Sequence, residues 1–175
     1  SRVKNKNTRK FADINFGLLE IKLGQLLRSK LINKIYISTN DKRIINYCKK
    51  LNTDKIIIHE RIDRSLSSNQ CSNNQLVNHA IEIMPDEHIL WTHVTSPFVD
   101  SKIYDQIIKK YINILKRRSA DSLMTITKYF GFFWLDNKPL NYKSTKLQWP
   151  RTQDTKPLDH INSAVFISSK KNYIK

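Results

Sequence analysis

Apolar and polar positions along this chain alternate between two periods. Leu18, Leu19, Ile21, Leu23, Leu26 and Leu27 recur at helical spacing, and residues 35–39 follow as a short β-branched run. Asn40-Asp41 supplies turn and N-cap chemistry before Ile44, Ile45, Tyr47 and Cys48, which predict an amphipathic helix. Residues 55–59, with Ile56-Ile57-Ile58, predict a second buried strand. Leu76, Val77, Ala80, Ile81 and Met84 predict a helix stopped at Pro85. A strand over 89–92, a long helix over about 101–117 and a strand over 122–127 complete the series.

Near-continuous apolar strands alternating with helices predict an α/β fold: a Rossmann-like three-layer sandwich with a mostly parallel sheet covered on both faces. After Lys128 the rhythm lapses. Phe130, Phe132, Phe133 and Trp134, then Asp136-Asn137-Lys138-Pro139, predict a β-hairpin excursion at about 129–150, and residues 164–167 a strand returning to the sheet. With no low-complexity linker, 175 residues are expected to form one domain over 1–175. No strand precedes the first helix and the chain stops just after a strand, so the fold is expected to be incomplete at both ends.

Composition narrows the classes. An apolar content of 39% with 10% aromatics is that of a globular chain, and no apolar run nears the roughly 18 residues that span a bilayer. The first residues lack the apolar core of a signal peptide. Cys48 and Cys71 show neither metal-ligand spacing nor a disulfide framework, which fits a reduced, cytoplasmic setting. The net charge of +16 reads either as attraction to a polyanion or as compositional drift in a chain also rich in Ile and Asn. The basic residues are spread along the chain without aromatic interleaving, which disfavours a nucleic-acid partner.

Candidate chemistry clusters where predicted strands end, the place where open α/β sheets bind ligands. Arg2, Lys6, Asn7 and Arg9 precede the first helix and read as a phosphate-cradling loop or as a charged tail; no P-loop motif is present. Ser38, Thr39, Asn40 and Asp41 end one strand and read as a ligand-binding turn or as an ordinary one. Arg61 follows another, and its guanidinium could hold a base edge or phosphate, with Ser72 capping the next helix; a surface arginine and a simple cap are the alternative. His93, Thr95 and Ser96 follow the strand over 89–92. No second His or carboxylate stands at ligand spacing from His93, so no metal site is expected, and Ser96 lacks a nucleophile elbow. Arg151, Gln153, Asp154, His160 and Asn162 form the densest polar stretch, where an Arg fork beside an amide suits a sugar carboxylate and hydroxyls.

Six of these segments, in order, resemble the CMP-acylneuraminate synthetase family of acidic keto sugar cytidylyltransferases, a nucleotide-diphospho-sugar transferase type of fold. They are Arg2 to Lys6-Asn7, Ser38-Thr39-Asn40-Asp41, Arg61 with Ser72, Thr95-Ser96-Pro97, Ala120-Asp121-Ser122, and Arg151-Thr152-Gln153 leading to Asn162-Ser163-Ala164-Val165-Phe166-Ile167. The resemblance implies transfer of CMP from CTP to a sialic acid-like sugar for surface glycan biosynthesis, by attack of the anomeric hydroxyl on the α-phosphorus with release of pyrophosphate. It implies catalytic roles for Arg2 and Lys6, and nucleotide contacts from Asn7, Thr39, Asn40, Arg61 and Ser72. It implies sugar-acid contacts from His93, Thr95, Arg151, Gln153, His160, Asn162 and Phe166. It also implies Mg²⁺, although the family's metal-binding aspartate segment has no counterpart in the chain, and a homodimer joined through the excursion. His93 stands where the family usually has Gln, which suggests an altered sugar acid, and Ser163 where it has Gly. A non-catalytic nucleotide-sugar-binding or assembly protein that keeps the fold is the alternative.

Overall fold

The computed structural model describes residues 3, 5–61, 66, 71–85, 87–143 and 150–174. The elements run α1 (Gly17–Arg28), β1 (Ile35–Thr39), α2 (Lys42–Lys50), β2 (Ile56–Glu60), α3 (Asn73–Ile83), β3 (His88–Thr92), α4 (Ser101–Lys116), β4 (Ser122–Tyr129), β5 (Trp134–Leu135), β6 (Lys138–Pro139), β7 (Leu158–Ser169) and α5 (Lys170–Tyr173). They divide into two compact units, residues 1–123 with 164–175 and residues 124–163, so the division passes through β4 and β7. The excursion expected at about 129–150 falls within the second unit.

The helices begin where short polar side chains meet orphan amides. Asp41 accepts from the Arg43 amide, Ser72 forms a capping box with Gln75, and Asp100 accepts from Ile103. α1 starts differently. Gly17 has φ +53°, and a Cβ there would lie 2.0 Å from the Arg9 carbonyl oxygen, so only glycine lets the N-terminal loop close against the helix. The Phe16 amide is taken up by Glu20 Oε2 at 2.9 Å.

In the first unit β1 and β2 pair in parallel from Ile35↔Ile56 to Thr39↔Glu60, joined by α2 as the crossover such pairing requires. β3 pairs antiparallel with the last part of β7, from His88↔Ser169 to Thr92↔Val165. The expectation of a mostly parallel sheet is therefore met in part: the fold is α/β with mixed pairing, and the three-stranded sheet has the order β3-β7-β4. The difference has a physical cause. Among the described residues no crossover helix comes between β4 and β7, and a strand that returns directly can pair antiparallel. Leu19, Leu23, Leu26, Ile35, Cys48, Tyr104 and Val165 form the core, each large apolar side chain contributing about 1.5–3 kcal/mol. An apolar cavity of about 580 Å³ lies against β1 and β3, walled by Leu19, Ile37, Ile89, Leu90 and Ile167.

The second unit holds the most exposed strand positions. β4 runs two residues beyond its expected end, and β5 and β6 form a hairpin whose turn residues Asp136 and Asn137 both take positive φ, 49° and 60°. That pair suits a two-residue turn whose twist matches the strands. Asn141, buried, is the hub: its side chain accepts from the Phe133 amide and donates to the carbonyls of Gly131 and Lys156.

Candidate active site

The carboxyl ends of β1 and β2 gather the nucleotide-side candidates. Thr39 is buried; its hydroxyl accepts from the Asp41 amide at 3.1 Å and its carbonyl from the Arg61 amide at 3.0 Å. Asp41 binds the Arg43 guanidinium at 2.6 Å, and that hydrogen bond holds its carboxyl below the usual carboxylate range. Arg43 also donates to Asn5 Oδ1 at 3.2 Å, which ties the basic N-terminal loop to the start of α2. In that loop the Asn5 carbonyl accepts from Thr8 and Arg9, and the Asn7 carbonyl from Leu19. Lys6 and Asn7 thus stand exposed on a loop fastened on both sides, with Asn40 exposed at the adjoining strand end. Arg2 lies outside the described residues.

Arg61 carries the clearest chemical signal. Its Nη1 donates to the Leu66 carbonyl at 2.9 Å, while its Nε is buried with no hydrogen-bond partner. A buried guanidinium N–H left unmet is costly and calls for an acceptor. Two residues earlier, within β2, His59 has a buried Nδ1 with no hydrogen-bond partner. The His59 ring meets the His79 ring edge-on at 5.0 Å, and His79 Nε2 lies 2.9 Å from Ser38 Oγ. This strand end offers the Arg61 N–H to an anionic or carbonyl-bearing ligand. Ser72 caps α3: its hydroxyl accepts from the Gln75 amide at 3.2 Å.

Of the sugar-side candidates, His93, Thr95 and Phe166 belong to the first unit. The His93 ring lies 6.3 Å from Trp91, edge-on; desolvation lowers its pKa, which favours the neutral imidazole, although the residue as a whole is exposed. Thr95 is exposed. Phe166 is half-buried opposite Trp91 in the β3–β7 ladder.

Arg151, Gln153, His160 and Asn162 belong to the second unit. Arg151 is exposed and already grips a carboxylate, Asp154, through Nε at 2.8 Å and Nη2 at 3.4 Å. A ligand carboxylate would have to replace Asp154 there. Gln153 is exposed in the short 3-10 turn Thr152–Asp154. His160 and Asn162 lie within β7: the His160 ring meets Tyr129 edge-on at 5.5 Å, and the Asn162 amide joins Thr125 at 2.7 Å and Thr127 at 3.1 Å.

Among the described residues no group of three or more His, Cys, Asp or Glu is placed to hold a metal ion. Mg²⁺ beside a nucleotide is commonly held by one or two carboxylates together with the substrate's phosphates, and no chemical step is assigned to the ion that the resemblance implies. The sequence reading passed over Lys22, Gln25 and Tyr104, which are buried and hydrogen-bonded beneath the loop after β3. The signal was there: Lys22 shares the apolar face of α1 with Leu19, Leu23 and Leu26.

The model of the family described as cytidylyltransferase matches residues 1–144. Pseudaminic acid cytidylyltransferase of Campylobacter jejuni subsp. jejuni serotype O:2 is 22% identical over 184 residues, spanning 99% of this chain and 75% of that protein. The same enzyme of serotype O:23/36 matches to the same extent. The solved structure of CMP:2-keto-3-deoxy-manno-octonic acid synthetase complexed with CTP superposes with a TM-score of 0.62 at 9% identity, over 99% of this chain and 71% of that one.

Proposed function

The chain belongs to the cytidylyltransferase family, and from that premise we propose that it transfers CMP from CTP to an acidic keto sugar of the pseudaminic or octulosonic kind. The observation that carries this reading is the buried, unpartnered Arg61 Nε at the carboxyl end of the parallel pair. An N–H donor so placed suits a cytosine carbonyl or a phosphate oxygen. Lys6 and Asn7, on the fastened loop, supply charge and an amide to the triphosphate. The sugar's anomeric hydroxyl gives up its proton to solvent as its oxygen forms the new bond to the α-phosphorus, the α–β phosphoanhydride bond breaks, and pyrophosphate departs with its charge met by basic side chains. His93 and Thr95 would line the sugar side with hydrogen-bonding groups.

Two further features belong to the same proposal. The second unit exposes Tyr129, Phe130, Phe132, Trp134, Leu135 and Leu140, apolar area that supports a homodimer. Cys48 and Cys71 are both free, which supports a reducing, cytoplasmic setting. No helix among the described residues is long and apolar enough to cross a membrane. Thermal shift with CTP, UTP, ATP and GTP tests the nucleotide assignment: CTP is expected to stabilise most, with Arg61→Lys erasing the preference. Equal stabilisation by all four would leave phosphate binding alone and remove the cytosine contact.

A further inference from the structure

Lys22 occupies a position suited to leucine. It lies on the core-facing side of α1 and is only 2% exposed. A buried ammonium persists where its protons are all met. Here Nζ donates to the Ser96 carbonyl at 2.8 Å, the Val99 carbonyl at 3.3 Å and the Tyr104 hydroxyl at 2.7 Å, three acceptors for three N–H bonds. The charge also sits 4.9 Å from the centroid of the Tyr104 ring. An ammonium only donates and a carbonyl only accepts, so the next bonds have a fixed direction. The Tyr104 hydroxyl donates to Thr92 Oγ1, and Thr92 donates to the Ala164 carbonyl, each at 2.7 Å. One helical turn along α1, Gln25 Nε2 donates to the Pro97 carbonyl at 2.5 Å. The carbonyls of Ser96, Pro97 and Val99 are thus held by α1, while Phe98 among them is 92% exposed.

We propose that Lys22 is a positioning residue for the sugar side of the site: through Tyr104 and Thr92 it locks the end of β3, the 93–99 loop and the adjoining stretch of β7 into one arrangement. The inference rests on the reading that His93, Thr95 and Phe166 face the sugar acid. His93 and Thr95 directly follow Thr92, and Phe166 lies two residues beyond Ala164, so the network ends beside all three. A methionine would fill the space of Lys22 and pack well there. What it would lose is the hold on the loop carbonyls, which is why a lysine at this position points to loop geometry. Burial brings its pKa down to about 8, which still leaves it mostly charged at pH 7.

Hydrogen exchange across the full chain, read by mass spectrometry for the wild type, Lys22→Met and Leu23→Ala, separates positioning from mere packing. Leu23 is buried one residue along α1 and serves as the generic core loss. Lys22→Met is expected to speed exchange about tenfold in 93–99 and 164–167, with β1 and β2 within about twofold of the wild type. Leu23→Ala is expected to speed exchange throughout the first unit. Tyr104→Phe keeps the ring, breaks the relay and reproduces the local effect in weaker form even if Lys22→Met fails to fold. Titration calorimetry supplies the ligand arm: Lys22→Met weakens pseudaminic acid about tenfold and CTP by less than about twofold. The same exchange pattern in Lys22→Met and Leu23→Ala, or equal weakening of both ligands, would overturn the proposal. A wild type that binds neither ligand would sink the functional reading, while the exchange comparison still decides the role of Lys22.

Discussion

Ser163 holds φ at +55°, in the left-handed region where a Cβ crowds the backbone and glycine is at ease. It stands inside β7 at the boundary between the two compact units, next to Asn162 and Ala164. Ser163→Gly relieves that crowding at the expense of a looser unfolded chain, so a net gain of about 0.5–1 kcal/mol is expected in urea unfolding. A loss of stability would contradict the strain. Asp105 shows the opposite case, a side chain in a setting that favours it. Its carboxylate accepts from the Ser29 hydroxyl, the Leu31 amide at 3.1 Å and the Lys30 amide at 3.2 Å, fastening the chain after α1 to α4. The Ser29 hydrogen bond leads the causes that lower its pKa. A carboxyl with a depressed folded-state pKa adds stability above its unfolded value, near 4, and loses it as pH falls through that value toward the folded one. Asp105→Asn should therefore cost about 1 kcal/mol at pH 7 and progressively less below pH 4. A cost unchanged down to pH 3 would show that the charge contributes nothing. At this scale residue types alone located the Asp41 and Ser72 caps and the strand ends beside Thr39 and Arg61, because each ends or begins an apolar segment. They did not reveal Lys22, since a lone lysine in a helix is ordinarily solvated.

Strand and helix positions were legible because buried elements must be apolar at fixed spacing: β1, β2 and β3 each match a short apolar run. Pairing direction was not, because a continuous apolar run is the same in a parallel ladder as in an antiparallel one. β7 shows a second limit. Its expected extent was the apolar run at 164–167, yet it begins at Leu158, and His160 and Asn162 pair across to Tyr129, Thr125 and Thr127. Polar side chains satisfied across a ladder look from sequence like a polar loop. The aromatics of the second unit bear on assembly. Phe130 is 53% and Trp134 60% exposed, more than a monomer gains from showing. Sedimentation at micromolar concentration should find a dimer, shifted toward monomer by Phe132→Asp; a monomer unaffected by that change would rule out this face as the interface. Trp149, within the excursion expected to join the dimer, lies outside the described residues.

For the molecule as a whole, the net charge of +16 takes on meaning once the proposed substrates are considered, since a nucleoside triphosphate and a sugar acid are both anions that such a field draws in. The charge is spread over the surface while the distinguishing chemistry is local: a fastened basic loop, an unmet Arg61 Nε and a loop held by Lys22. The cytidylyltransferase family model matches residues 1–144, and the chain spans 75% of the pseudaminic acid enzymes it resembles. The most direct test is ³¹P NMR of CTP and pseudaminic acid incubated with the purified chain, with and without magnesium. The proposed activity predicts a new phosphodiester resonance of a CMP-sugar growing in step with pyrophosphate, both lost in Arg61→Ala. CTP that stays intact beside the sugar acid, under conditions where the chain binds both, would contradict it.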